Sequence, residues 1–115
     1  MPDCIFCQII ENKSPADIVY QSDKVIAFRN INPAAPVHIL IVPKRHVPTV
    51  VKLEDQDKDA IAEMLLAVRE IAAQEGVDES GFKLVVNKGG PDVEMIIDHF
   101  HIHLIGGKKL EGELV

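Results

Sequence analysis

The stretch HFHIHLIGG, residues 99–107, sets histidine at every second position of an otherwise apolar run and ends on two glycines. In an extended chain, side chains two residues apart share a face at a spacing of about 7 Å. His99, His101 and His103 therefore form one row, while Asp98, Phe100, Ile102 and Leu104 face the other way. A single buried imidazole can be a satisfied core group. Three in one row, with no acid among them, carry a desolvation cost that a purely structural role does not offset. Two chemistries suit such a row. Alternate histidines bind zinc in three-histidine catalytic sites. A neutral imidazole, with a pKa of about 6.5, can instead attack phosphorus through its free lone pair. The spacing alone favours neither.

A second chemical group lies at the other end of the chain. Both cysteines fall in DCIFCQII, as Cys4-x2-Cys7. In a cytosolic protein this spacing points to metal binding or redox chemistry before a structural disulfide. The βαβ pattern of a thioredoxin-like pair is missing, and the plain alternative is two reduced cysteines in a short helix.

The elements that must position these groups are short. Ile5, Phe6, Ile9 and Ile10 make one apolar patch of a short helix before Pro15. Residues 18–20 and 24–29 predict two strands joined by the QSD turn. VHILIVPK, residues 37–44, is a nearly continuous β-branched run, the pattern of a central strand buried on both faces. Over residues 55–75, Ile61, Met64, Leu65, Val68, Ile71 and Ala72 fall on one helical face, with Asp55, Asp57 and Asp59 near its N-terminus and Gly76 as a stop. FKLVVN (82–87) and DHFHIHLI (98–105) alternate as strands, and the glycines of the intervening KGGPDVEM loop let backbone approach a ligand. Strands, one long helix, then two more strands describe an α+β domain with a mainly antiparallel sheet.

Composition narrows the partners. A chain of 115 residues, 47% hydrophobic and 26% charged, fits one folded domain. It has neither the apolar run of a membrane span nor the start of a signal peptide, so a cytoplasmic protein is expected. Twelve basic against eighteen acidic side chains give a net charge of −6, which argues against long nucleic acid as a partner. A phosphate ligand has to be held by local donors.

The run NPAAPVHILIVPKRH, residues 32–46, followed beyond a helix by HFHIHLI, resembles the histidine triad hydrolase family. The opening CIFCQIIENKSPADIVYQSDKVIAFRNI resembles its nucleoside phosphoramidase branch, and the likeness runs over residues 4–107. It implies one histidine triad domain over residues 1–115, with a five-stranded, mainly antiparallel sheet, one long helix and a short N-terminal helix. It also implies a homodimer with a continuous sheet, each chain binding a purine nucleotide.

The resemblance assigns roles residue by residue. His101 matches the nucleophile that attacks the α-phosphate and becomes a transient nucleotidyl-histidine. His103 matches a donor to the phosphate and to the leaving amine, and His38 a further active-site histidine. Ile5, Phe6, Ile9, Phe28 and Ile31 match the nucleoside pocket, although the helical spacing of the first three equally suits a core. Asn87 matches a ligand-binding asparagine. Asn30 stands where many relatives carry an aspartate for the ribose hydroxyls, a weaker acceptor than a carboxylate. Cys4, Cys7, His46 and His99 match the structural zinc ligands of bacterial members, a closed set of two cysteines and two histidines.

The chain also departs from the pattern. Relatives read Gly-Gln-Ser or Gly-Gln-Thr and then an apolar residue before the triad; here the residues are Glu94-Met95-Ile96-Ile97, and the loop from Asn87 to His99 is one residue longer. The C-terminal GGKKLEGELV lacks the tryptophan-proline ending of many relatives. The expected function is hydrolysis of purine nucleoside phosphoramidates, with structural zinc. A dinucleoside polyphosphate hydrolase and a nucleotide-binding regulatory module with little turnover are the alternatives.

Overall fold

A computed structural model describes residues 4–95 and 97–110. Its elements run α1 (Ile5–Ile10), β1 (Ile18–Gln21), β2 (Val25–Arg29), β3 (Val37–Pro43), two 3-10 turns (Val50–Lys52 and Asp55–Asp57), α2 (Lys58–Glu75), β4 (Phe82–Val85) and β5 (Ile102–Gly106). The five strands form one sheet in the order β1-β2-β3-β5-β4, and every neighbouring pair is antiparallel. This is the α+β arrangement the sequence predicts.

Alternation along the strands divides the sheet into two apolar faces. Val25 and Ala27 of β2, Val37, Ile39 and Ile41 of β3, and Ile102 and Leu104 of β5 pack against Met64, Ala67, Val68, Ile71 and Ala72 of α2. Ile26, Phe28, Leu40 and Val42 turn to the opposite face, where Phe6 and Ile9 of α1 cover them. All seven residues of β3 are buried, because this strand lies third of five with a helix on each side. On β3, His38 shares the α1 face with Leu40 and Val42, and so does His103 on β5, paired in register with Leu40.

Three features differ from the sequence expectation. The last strand starts at Ile102, not at residue 98, because Phe100 N–H donates to Val47 O at 2.6 Å. His99 and His101 therefore lie on the lead-in to β5, although Phe100 still turns into the α2 core and the two histidines away from it. Strand β4 stops at Val85, leaving Val86 and Asn87 beyond the ladder. Leu65, expected on the apolar face of α2, is 51% exposed.

Ion pairs fix the segments that flank the site. Arg45 donates to both carboxylate oxygens of the buried Asp57, at 2.9 and 2.8 Å, and to Glu54 at 2.8 Å. Asp57 also closes a capping box with Glu54 ahead of α2, so the segment carrying His46 is tied to the start of that helix. At its other end, Glu75 takes a bidentate pair from Arg29 at 2.6 and 2.8 Å, and Gly76 stops the helix in the left-handed conformation at φ 74°. Among the described residues, no helix is long and apolar enough to cross a membrane.

Candidate functional site

The structure brings Cys4, Cys7, His46 and His99 together from three places in the chain. Their ligating atoms all lie within 4.8 Å of one another. Cys4 Sγ is 3.3 Å from His99 Nδ1, and Cys7 Sγ is 3.2 Å from His46 Nδ1 and 3.6 Å from His99 Nδ1. Cys4 is the N-cap of α1 and accepts from Cys7 N–H, so one helical turn aims both sulfurs the same way. Tetrahedral zinc, with bonds of about 2.0–2.3 Å, places its ligand atoms roughly 3.3–3.8 Å apart, close to the observed contacts. His99 Nε2–H donates to Pro43 O at 2.8 Å, which leaves the Nδ1 lone pair facing the sulfurs. Burial holds His99 neutral, with its pKa lowered to about 4, His46 and His101 pushing the same way. Burial, reinforced by Cys4, raises the Cys7 thiol to about 11, so a cation is needed to make it a thiolate at neutral pH. The donor set fits a structural zinc.

His101 and His103 are the next members of the row, and their rings stand 4.8 Å apart. His101 Nδ1–H donates to the His99 carbonyl at 2.6 Å, leaving the Nε2 lone pair free. Burial lowers the His101 pKa, so that lone pair is unprotonated at neutral pH. A backbone N–H can only donate, and Ala34 N–H meets His38 Nδ1 at 2.9 Å. The His38 proton therefore sits on Nε2, which donates to His103 Nδ1 at 2.9 Å. That bond puts the His103 proton on its own Nε2. Burial, with His101 and His38 adding to it, lowers the His103 pKa to about 4 and keeps the ring a neutral donor. The result is a bare nitrogen on one ring beside an N–H on the next.

Both rings line a cavity of about 680 Å³. The other walls include Ile5, Phe6 and Ile9 from α1, Phe28 and Leu40 from the sheet, Asn30 and Ile31 after β2, and Asn87 after β4. All seven residues matched to nucleotide binding therefore border one space. Ile31 is 90% exposed at its rim, an apolar side chain left in water. His38 does not line the cavity; it lies behind His103 and acts on it through the proton order just described. Asn30 Oδ1 accepts from Asn32 N–H at 2.9 Å, and its amide nitrogen lies 3.3 Å from His38 Nε2. Glu94, Met95 and Ile97 also border the cavity, whereas Ile96 lies outside the described residues. Gly89 permits this loop path, because a β-carbon there would come within 2.8 Å of the Met95 β-carbon.

The family model described as "Scavenger mRNA decapping enzyme C-term binding" matches residues 3–113. The purine nucleoside phosphoramidase of Escherichia coli (strain K12) is 43% identical over 111 residues, covering 94% of this chain and 90% of that protein. A HIT family hydrolase from Clostridium thermocellum superimposes with a TM-score of 0.93 at 34% identity, covering 100% of this chain and 99% of that one. The chain belongs to the histidine triad family. Membership makes it a hydrolase and accounts for the fold. Another relative, the 14 kDa zinc-binding protein of Brassica juncea, is 41% identical over 110 residues, covering 94% of this chain and 96% of that protein. In this histidine triad chain, the tie from Arg45 to Asp57 that holds the His46 segment escaped sequence reasoning. Asp57 reads there as a helix-dipole acid, and its partner is twelve residues away.

Proposed function

We propose that the chain hydrolyses purine nucleoside 5′-phosphoramidates to the nucleoside monophosphate through a nucleotidyl-histidine intermediate. The observation that carries this reading is the free Nε2 lone pair of His101 beside the Nε2–H of His103 at the cavity wall. The phosphoramidate nitrogen takes a proton from solvent, His101 Nε2 attacks phosphorus, the P–N bond breaks, and the neutral amine departs. His103 Nε2–H donates to the phosphate oxygen on which charge grows and to the leaving nitrogen. Water then attacks phosphorus, the bond to His101 breaks, and the monophosphate leaves. Ile5, Phe6, Ile9, Phe28 and Ile31 hold the base and sugar, with Asn30 at the ribose and Asn87 at the phosphate. The name of the Escherichia coli relative supports this substrate class.

Cys4, Cys7, His46 and His99 hold a structural zinc, which when bound crosslinks α1 to the lead-in of β5. The chain works as a cytoplasmic homodimer. Leu65 and Leu66 on α2 and Leu84 on the edge strand β4 are exposed, an apolar surface that a second copy would bury while covering an open sheet edge.

Mass spectrometry of protein quenched with adenosine 5′-phosphoramidate tests the chemistry. An adenylyl adduct on His101 is expected, and turnover without any adduct would rule out the two-step route. One observation favours a second reading. Met95 borders the cavity where relatives carry a glutamine, and an apolar wall there suits a nucleotide-binding module with slow turnover. A dinucleoside polyphosphate tested alongside the phosphoramidate separates the two hydrolase substrates.

A further inference from the structure

Helix α1 has six residues, far fewer than a helix needs to hold itself in water. Its position depends on its attachments, and these serve two different sites. Cys4 and Cys7 place their sulfurs in the metal cluster, while Ile5, Phe6 and Ile9 form a wall of the cavity. Phe6 stands where the two meet. Its ring centre is 5.8 Å from that of His99, 5.2 Å from that of His101 and 5.4 Å from that of Phe28. One side chain thus packs edge-on against a metal-ligand residue, the ring beside the reacting phosphate, and the base-binding wall.

We infer that Phe6 is a positioning residue through which a metal on Cys4, Cys7, His46 and His99 raises the affinity of the cavity for a nucleotide. The inference rests on the nucleotide reading above. With the cluster loaded, both cysteines are bonded to the same ion as His99, so α1 is pinned and Phe6, Ile5 and Ile9 present a finished wall. With the cluster stripped, the bonds to the ion are gone, and α1 is left with sulfur–imidazole contacts, the burial of Phe6, Cys7 and Ile9 and the hydrogen bonds that Gln8 accepts from the turn after it. A nucleotide must then order the wall as it binds, and its affinity falls. Linkage makes the effect reciprocal: the nucleotide tightens the metal by the same factor.

Calorimetric titration of AMP into zinc-loaded and chelator-stripped full-length protein tests this. The stripped protein should bind AMP about 10-fold more weakly, within the usual range of coupling between sites. In Phe6→Leu, or in Phe6→Met as an apolar replacement of similar reach, metal should still bind but AMP affinity should change less than about twofold on stripping. Cadmium-loaded protein gives a readout that does not require the stripped state to stay folded. AMP should move the cadmium NMR resonance in the wild type and leave it unmoved in the Phe6 variant. Equal AMP affinity in loaded and folded stripped protein, or a cadmium resonance indifferent to AMP in the wild type, overturns the coupling and leaves the nucleotide reading standing. Undiminished coupling in the variants overturns the role of Phe6. Loaded wild type that binds no AMP overturns the nucleotide reading itself, and the coupling with it.

Discussion

The two ends of the histidine row are made of the same side chain in similarly buried surroundings, yet they are prepared for opposite tasks. At the metal end, His99 gives its Nε2–H to the Pro43 carbonyl and turns Nδ1 toward the sulfurs. At the reaction end, His101 gives its Nδ1–H to the His99 carbonyl and leaves Nε2 at the cavity. Burial lowers both pKa values and so makes both rings neutral, but it does not choose between them. The choice lies in which ring nitrogen a backbone carbonyl occupies. What differs is the neighbour: His99 is wholly enclosed by α1 and the segment after β3, whereas His101 borders the cavity.

Removing the nucleophile should separate the two ends most sharply. His101→Gly is expected to lower phosphoramidate turnover by at least about 10⁴-fold, the scale seen when a covalent catalyst loses its nucleophile. AMP binding and metal content should persist. A variant that keeps wild-type turnover would place the chemistry on another residue.

The converse experiment acts on the metal end. Chelation, or Cys7→Ser, should lower the thermal midpoint by about 10 °C. That figure takes a bound-ion contribution of about 3 kcal/mol and about 4 °C per kcal/mol for a domain of this size. Metal analysis should give about one ion per chain before treatment, as a closed four-ligand site implies. An unchanged midpoint in metal-free protein would show that the cluster does not support the fold.

A smaller effect is expected behind the reaction end. His38 lies behind two cavity residues, 2.9 Å from His103 Nδ1 and 3.3 Å from the Asn30 amide nitrogen, so His38→Ala should slow turnover by roughly 10- to 100-fold, the usual range for a partner that orients a working group. The loss should fall on kcat more than on KM. If it fell on KM alone, His38 would be shaping the pocket and not the proton order of His103.

How much of this was readable beforehand depends on the range of the cause. The β-branched run of β3 and the helical period of α2 are local, and both elements formed where expected. Leu65 was misplaced because it lies at the edge of the α2 stripe, where period alone does not distinguish packed from exposed. The alternation from His99 to Leu104 correctly predicted which way each side chain turns. It could not show where hydrogen bonding begins, since Phe100 takes its acceptor from Val47. Cys4 and Cys7 announce each other by spacing, but their meeting with His46 and His99 was legible only through the family likeness. The ties from Arg45 to Asp57 and from Arg29 to Glu75 carry no local signal. Neither does the proton order from Ala34 through His38 to His103, which depends on a backbone N–H placed by the turn before β3.

The finest distinction concerns the loop beside the reaction end. Met95, which the family resemblance sets at the usual glutamine position, borders the cavity, and Gly89 makes room for its approach. It offers no hydrogen-bond donor. A preorganised donor at a developing oxyanion is worth about 10²–10³ in rate, so turnover is expected to fall well below that of relatives carrying the full motif. Restoring the donor with Met95→Gln should recover about 10-fold of that deficit. The recovery is incomplete because the loop is one residue longer and its Ser or Thr position, Ile96, is still apolar. Met95→Gln combined with Ile96→Ser should recover more. Binding should respond less than the chemical step, because the nucleoside wall is built from α1, β2 and the residues after it. Single-turnover kinetics alongside AMP titration measure both quantities. A gain in AMP affinity as large as the gain in rate would mean that the amide contacts the bound nucleotide equally in both states, and not the reacting phosphate in particular. Metal content should be the same in all three proteins, since Met95 borders the cavity and neither substituted residue is one of the four metal-ligating residues. A loss of zinc in the double variant would show that the two ends of the row are mechanically joined through residues 94–98, as well as through α1.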